Sequence, residues 1–199
     1  MLKKQNETTV SGVSPYEELT GVYTIDPVHS MIGFSVRRAV ISDVRGIFDS
    51  FGGLLKLNGS QSAWSEAHVS VQTESLDTGI TDRDARLKGP DYFDSSTFPL
   101  MTFRSTKIVP VGDDEFRLVG NLKIKDIGLP IEIDIEIGGA GRDAYGLNRV
   151  GFEGRATLKR SDWGLTWNTA LETGGVFVSD KVTLILDISA VQVNQAAAA

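Results

Sequence analysis

From Ile131 to Ile137 the chain reads Ile131-Glu132-Ile133-Asp134-Ile135-Glu136-Ile137, with apolar and carboxylate side chains in strict alternation. Side chains of an extended strand point to opposite faces with a period of two, so this segment predicts a strand with one buried and one wet face. The same parity recurs where Phe116, Leu118, Leu122 and Ile124 alternate with Arg117, Asn121 and Lys123. It recurs again where Phe152, Ala156 and Leu158 alternate with Glu153, Arg155, Thr157 and Lys159. Further strands are predicted over 22–26, 30–37, 43–57, 66–74, 100–109 and 181–191, about nine in all. Val111-Gly112-Asp113-Asp114 and Ile137-Gly138-Gly139 read as turns between them. No long segment repeats at helical spacing, which disfavours a parallel βαβ architecture and leaves an antiparallel barrel or sandwich.

One helical insert interrupts this pattern. Thr81 is placed to cap a short helix with Asp84 three residues on, and Gly89-Pro90 ends it. Asp91-Tyr92-Phe93-Asp94-Ser95-Ser96-Thr97-Phe98-Pro99 then puts three aromatic rings into a loop. A loop this apolar must pack on something, and covering one end of a barrel would bury it.

The chain of 199 residues, 41% hydrophobic and 23% charged, is long enough for one all-β domain with a sizeable core. Its net charge of -6 argues against a partner coated in phosphates, so no nucleic acid is expected. No run approaches the roughly 18 apolar residues of a transmembrane helix. Met1-Leu2-Lys3-Lys4 begins like a signal peptide, but the polar stretch from Gln5 to Ser14 follows, so a cytoplasmic location is expected. Cysteine is absent, which excludes disulfides and thiolate chemistry. Residues 1–20 lack the apolar side chains to offset ordering entropy and read as a mobile tail. Residues 193–199, ending in four alanines, read as a second tail.

Several phrases together resemble the YceI-like family of lipocalin-like, lipid-binding proteins. They are Tyr23-Thr24-Ile25-Asp26-Pro27-Val28-His29-Ser30, Arg45-Gly46-Ile47-Phe48, Asp77-Thr78-Gly79 leading to Arg83-Asp84, and Tyr92-Phe93-Asp94. Phe98-Pro99-Leu100-Met101-Thr102-Phe103-Arg104-Ser105-Thr106 and Lys159-Arg160-Ser161-Asp162-Trp163-Gly164-Leu165 extend the likeness. The resemblance implies an extended eight-stranded antiparallel barrel over residues 21–192, with a hydrophobic tunnel that holds a polyprenyl phosphate, polyprenol or quinone. It implies carriage or sequestration of that lipid without catalysis and without a cofactor. Two departures stand out: Arg38 where many relatives have histidine, and Lys125-Asp126-Ile127 in place of a segment that often carries histidine-glycine.

Parity nominates Ile32, Phe34, Val36, Phe48, Val69, Val71, Phe103, Leu118, Leu122, Ile131, Ile133, Ile135, Phe152 and Val182 as inward-facing. The same residues would equally fill a closed core. Tyr92, Phe93, Phe98 and Trp163, being in loops, are candidates for a mouth. Arg83 could meet a polar head group there, since guanidinium matches phosphate oxygens bidentately, or could serve only surface ion pairs. Arg37, Arg38 and Arg45 read as a solvated strand face. The two histidines, His29 and His68, sit in no zinc spacing, and no nucleophile elbow or phosphate-cradling loop is present, so an enzyme is not expected. His29 is placed to bond a turn, and His68 to face water. The pairs Asp91 with Asp94 and Asp113 with Asp114 sit in turn-like sequence, which explains them better than a glycosidase site. A broad scavenger of amphiphiles or drug-like molecules, or a filled-core interaction module, remain the alternatives. An exposed edge strand could support a homodimer.

Overall fold

A computed structural model describes residues 17–38, 42–60, 65–169 and 177–193. The strands are β1 Gly21–Ile25, β2 Met31–Arg38, β3 Ser42–Phe48, β4 Phe51–Leu57, β5 Glu66–Gln72 and β6 Leu76–Asp77. After helix α1, Thr81–Lys88, come β7 Leu100–Pro110, β8 Glu115–Ile124, β9 Ile127–Arg142, β10 Asn148–Lys159 and β11 Val178–Gln192. Every pairing is antiparallel.

The ladder segments close into an eight-stranded barrel because three pairs of them are halves of bent strands. β1 and β2 both lie along β11, at Tyr23↔Gln192 and Phe34↔Leu184. β3 and β4 run back along β2 and β1, and β5 and β6 return along β4 and β3. The stretch expected as one strand over 43–57 is therefore broken at Asp49-Ser50. There the backbone turns aside to bond Ser75 O and Gln72 N. The bend between β1 and β2 is seated on β11, where Ser30 Oγ donates to Ser189 O and accepts from Ser189 N. Arg149 pins its outer side, donating to Asp26 Oδ2 and Asp143 Oδ2 at 2.7 Å each. These bonds, with His29 on the same carboxylate, hold the Asp26 carboxyl at about 2, well below its ordinary value.

Three local expectations are corrected. Gly138 and Gly139 lie inside β9 rather than in a turn; the chain reverses five residues later, where Asp143 Oδ1 accepts from Tyr145 N and Leu147 N. Thr81 is the first helical residue and caps nothing, Ile80 holding the N-cap position. Asp84 turns instead to the preceding loop, its Oδ1 accepting from Thr78 N and Thr78 Oγ1. Most of the expected N-terminal tail, residues 1–16, lies outside the described residues, as do 194–199. Glu17–Leu19 form a 3-10 turn, and Leu19 packs against the core. No helix among the described residues is long and apolar enough to cross a membrane.

Candidate functional site

Alternation places one face of every strand inside the barrel, and those faces enclose a cavity of about 930 Å³. It extends from the end bearing α1 to the opposite end, where Asn58, Ser65, Glu66, Gly112 and Asp113 line it. All the strand residues nominated by parity line this cavity, so the inward set was legible.

What keeps the lumen open is where the glycines fall. Gly46 on β3 pairs with Phe34 on β2, and a Cβ on Gly46 would come 2.5 Å from Phe34 Cζ. The Phe34 ring therefore lies flat on the wall over its cross-strand partner. Gly120 seats Phe103 diagonally, two residues from its cross-strand partner Leu122, with 2.4 Å from a Cβ to Phe103 Cζ. Gly154 is covered by Ile135 and Leu186, and Gly53 by Ile25. Bulky inward side chains next to side-chain-free positions spread along the wall, where small-for-large pairing across strands replaces interdigitation at the axis.

The α1 end is built from loops and lined by aromatics. Phe93 meets Phe48 edge to face at 5.8 Å, and Phe48 in turn lies 6.0 Å from Phe34, so the loop joins the wall through rings. Tyr92 packs 5.8 Å from Trp167 and donates its hydroxyl to Trp167 O at 3.2 Å. Burial pushes the Tyr92 phenol above its ordinary pKa. Trp163 is buried on the 3-10 turn after β10 and donates Nε1–H to Leu122 O at 3.1 Å. Gly164, at φ 71, ends that turn, allowing Leu165 and Trp167 to fold back over the lumen.

Four arginines line the cavity at this end: Arg38, Arg83, Arg86 and Arg160. Arg83 donates Nε–H to Thr78 Oγ1 at 2.6 Å and Nη2–H to Thr78 O at 2.8 Å. Arg38 lies over the Phe177 ring at 4.4 Å, and Arg86 over the Trp167 ring at 4.5 Å. Arg160, buried, donates to Ser179 O at 3.0 Å, to Trp167 O at 3.1 Å and to Leu165 O.

Of the nominated mouth residues, Arg83, Tyr92, Phe93 and Trp163 line the cavity. Phe98 does not. Its backbone is drawn to the 3-10 turn that follows β5, Thr73 Oγ1 donating to Phe98 O and Thr73 N to Pro99 O, and its ring sits 6.0 Å from the Lys125 ammonium instead. The solvated face expected for the basic cluster holds for Arg37, which pairs outside with Asp43, and for Arg45, both exposed; Arg38 is exposed as well but stands at the rim of the cavity it lines. Its parity with Phe34 and Val36 carried that signal. Arg86, Trp167 and Phe177 had no signal of their own, since only folding brings them together. His29 bonds Asp26 on the outer bend at 2.8 Å, and His68 is exposed, as expected of both. Among the described residues no group of three or more His, Cys, Asp or Glu is placed to hold a metal ion.

A family model for the YceI-like domain matches residues 23–190. The chain belongs to the YceI-like family. It is 33% identical over 153 residues to a UPF0312 protein of Vibrio cholerae, covering 76% of this chain and 81% of that protein. Its fold is shared with Burkholderia cenocepacia BcnA, at TM-score 0.73 and 22% identity, over 83% of this chain and 98% of that one. It is also shared with a polyisoprenoid binding domain from Saccharophagus degradans, at TM-score 0.64 and 17% identity, over 86% and 98% of the respective chains.

Proposed function

We propose that this YceI-like barrel holds one long polyisoprenoid lipid in its lumen and carries or sequesters it unchanged. The observation that carries the proposal is the open apolar cavity of about 930 Å³ inside a closed barrel. A barrel with a filled core has no such space, so the interaction-module reading loses its physical basis. Ten-residue β8, at about 3.3 Å per residue and tilted about 40°, implies a lumen about 25 Å deep, which suits an extended chain better than a compact molecule. Each 100 Å² of apolar ligand surface removed from water contributes about 2.5 kcal/mol, so a long tail binds through area with few polar contacts. The polyisoprenoid binding domain of Saccharophagus degradans, alike in fold, supports this class of ligand.

Native mass spectrometry of the purified protein, followed by solvent extraction of its adduct, tests the reading. Adduct masses spaced by isoprene units are expected, with a polyprenyl phosphate, a polyprenol or a quinone as the extracted species. A heterogeneous mixture of amphiphiles would transfer the weight to a scavenger. A bare polypeptide that stays bare after incubation with polyprenyl phosphate and polyprenol would sink the proposal. A cytoplasmic location and a homodimer complete the reading, to be checked by cell fractionation and by sedimentation.

A further inference from the structure

The two ends of the lumen differ in charge in a way that tail binding does not require. At the α1 end the wall carries Arg38, Arg83, Arg86 and Arg160, against the single carboxylate of Asp82. At the other end the charged groups are Glu66 and Asp113, with no lysine or arginine among the lining residues. None of the four arginines forms an ion pair with a carboxylate of a described residue; the ion pairs among the described residues lie elsewhere. The carboxylate whose pKa registers Arg160's charge, Asp180, is bound by Ser161 N and Oγ. Their partners are rings for Arg38 and Arg86, and carbonyl or hydroxyl oxygens for Arg83 and Arg160.

A guanidinium is always charged, and where desolvated it gains most from an anion it can bind through paired N–H groups. A ring or a neutral carbonyl orients the group without neutralising it. Arg160 is buried and Arg83 half-buried, while Arg38 and Arg86 are exposed at the rim. Four oriented cations without an ion pair among the described residues therefore form a site for negative charge, strengthened by the apolar wall behind it. Arg38, Arg86 and Phe177 reach it from three separate parts of the chain, so the arrangement is a property of the folded mouth.

We infer that the ligand carries an anionic head group, a phosphate ester or a carboxylate, seated among Arg38, Arg83, Arg86 and Arg160, with its tail running toward Glu66 and Asp113. This rests on the lipid-binding reading and narrows it: a neutral polyprenol or quinone would leave the four charges unanswered.

The test uses protein stripped of lipid and three probes, a polyprenyl monophosphate, the polyprenol of equal length, and oleate. Tenfold or tighter binding of the phosphate over the alcohol is expected at low salt, and the advantage should shrink as ionic strength rises. In Arg38→Gln/Arg86→Gln, phosphate and alcohol should bind alike. If the double variant does not fold, Arg38→Gln alone should lower the phosphate-to-alcohol ratio, and Glu66→Gln at the far end should leave the ratio unchanged. Oleate matching the phosphate's preference for the wild-type mouth would assign the site to carboxylates; phosphate alone would assign it to phosphate esters. Equal binding of phosphate and alcohol to the wild-type protein overturns the inference while leaving lipid carriage standing. A ratio that responds to Glu66→Gln and not to Arg38→Gln overturns the orientation. Binding of none of the three probes overturns the lipid reading itself.

Discussion

Gly46→Ala should narrow the lumen more than it harms the fold. The added Cβ would stand 2.5 Å and 2.6 Å from Phe34 Cζ and Cε1, and 2.8 Å from Thr78 Cγ2. Carbon atoms rest about 3.5–4.0 Å apart, so the overlap with the ring is about 1 Å and the ring must leave its seat. All the nearest atoms are side-chain ends, so χ rotation can relieve the clash without moving β3. The direction left to Phe34 is away from the wall, into the space a ligand chain would occupy. Overpacking of this kind costs about 1–3 kcal/mol, and replacing glycine by alanine returns about 0.4–1 kcal/mol by restricting the unfolded chain. A net loss of about 1–2 kcal/mol corresponds to a melting temperature lower by about 3–6 °C for a chain of this size. Ligand occupancy, read by native mass spectrometry after loading with polyprenyl phosphate, should fall severalfold. Phe34→Leu added to Gly46→Ala should recover occupancy, because the shorter side chain vacates the axis. A Gly46→Ala protein with wild-type occupancy and melting temperature would refute the idea that glycine seats hold the lumen open.

Trp167, at the mouth beside Arg86, should act as a built-in reporter: tryptophan emission should shift on adding polyprenyl phosphate, and Trp167→Phe should abolish the shift while Trp163→Phe retains it. Trp163→Phe removes the donor to Leu122 O, and chemical denaturation should show a loss of about 1–2 kcal/mol. Asp26, held at about 2 from an ordinary 3.8, adds stability that is complete above about pH 4 and disappears as pH falls toward 2. Its contribution is at most about 2 kcal/mol. Urea denaturation of Asp26→Asn should therefore show a midpoint well below wild type at pH 6 and converging with it near pH 2; a constant gap across that range would contradict the assignment.

The strands were readable because each has one wet face, and parity alone identifies Ile131, Ile133 and Ile135 as inward without knowledge of any partner. Whether the inward side chains meet at the axis is a different kind of question. Phe34, Phe103 and Ile135 would look the same in a solid core. The difference lies in which residue stands across the strand, and Phe34↔Gly46 and Gly154↔Ile135 are pairs only once the register exists. The mouth follows the same logic at longer range. Arg38 continued the inward parity of β2, yet its meaning depends on Phe177 arriving from the other side of the sequence, as Arg86 depends on Trp167. Phe98 shows the converse. Its composition suited a mouth, but the bonds of Thr73 to the Phe98-Pro99 backbone decide where the ring can go. Lumen and mouth are thus written in cross-strand pairs rather than in single residues. A relative that kept every inward phenylalanine but exchanged Gly46 for a larger residue would be expected to hold a shorter chain, and one that kept the glycines but lost Arg38 and Arg86 would be expected to hold a long chain with less regard for its head.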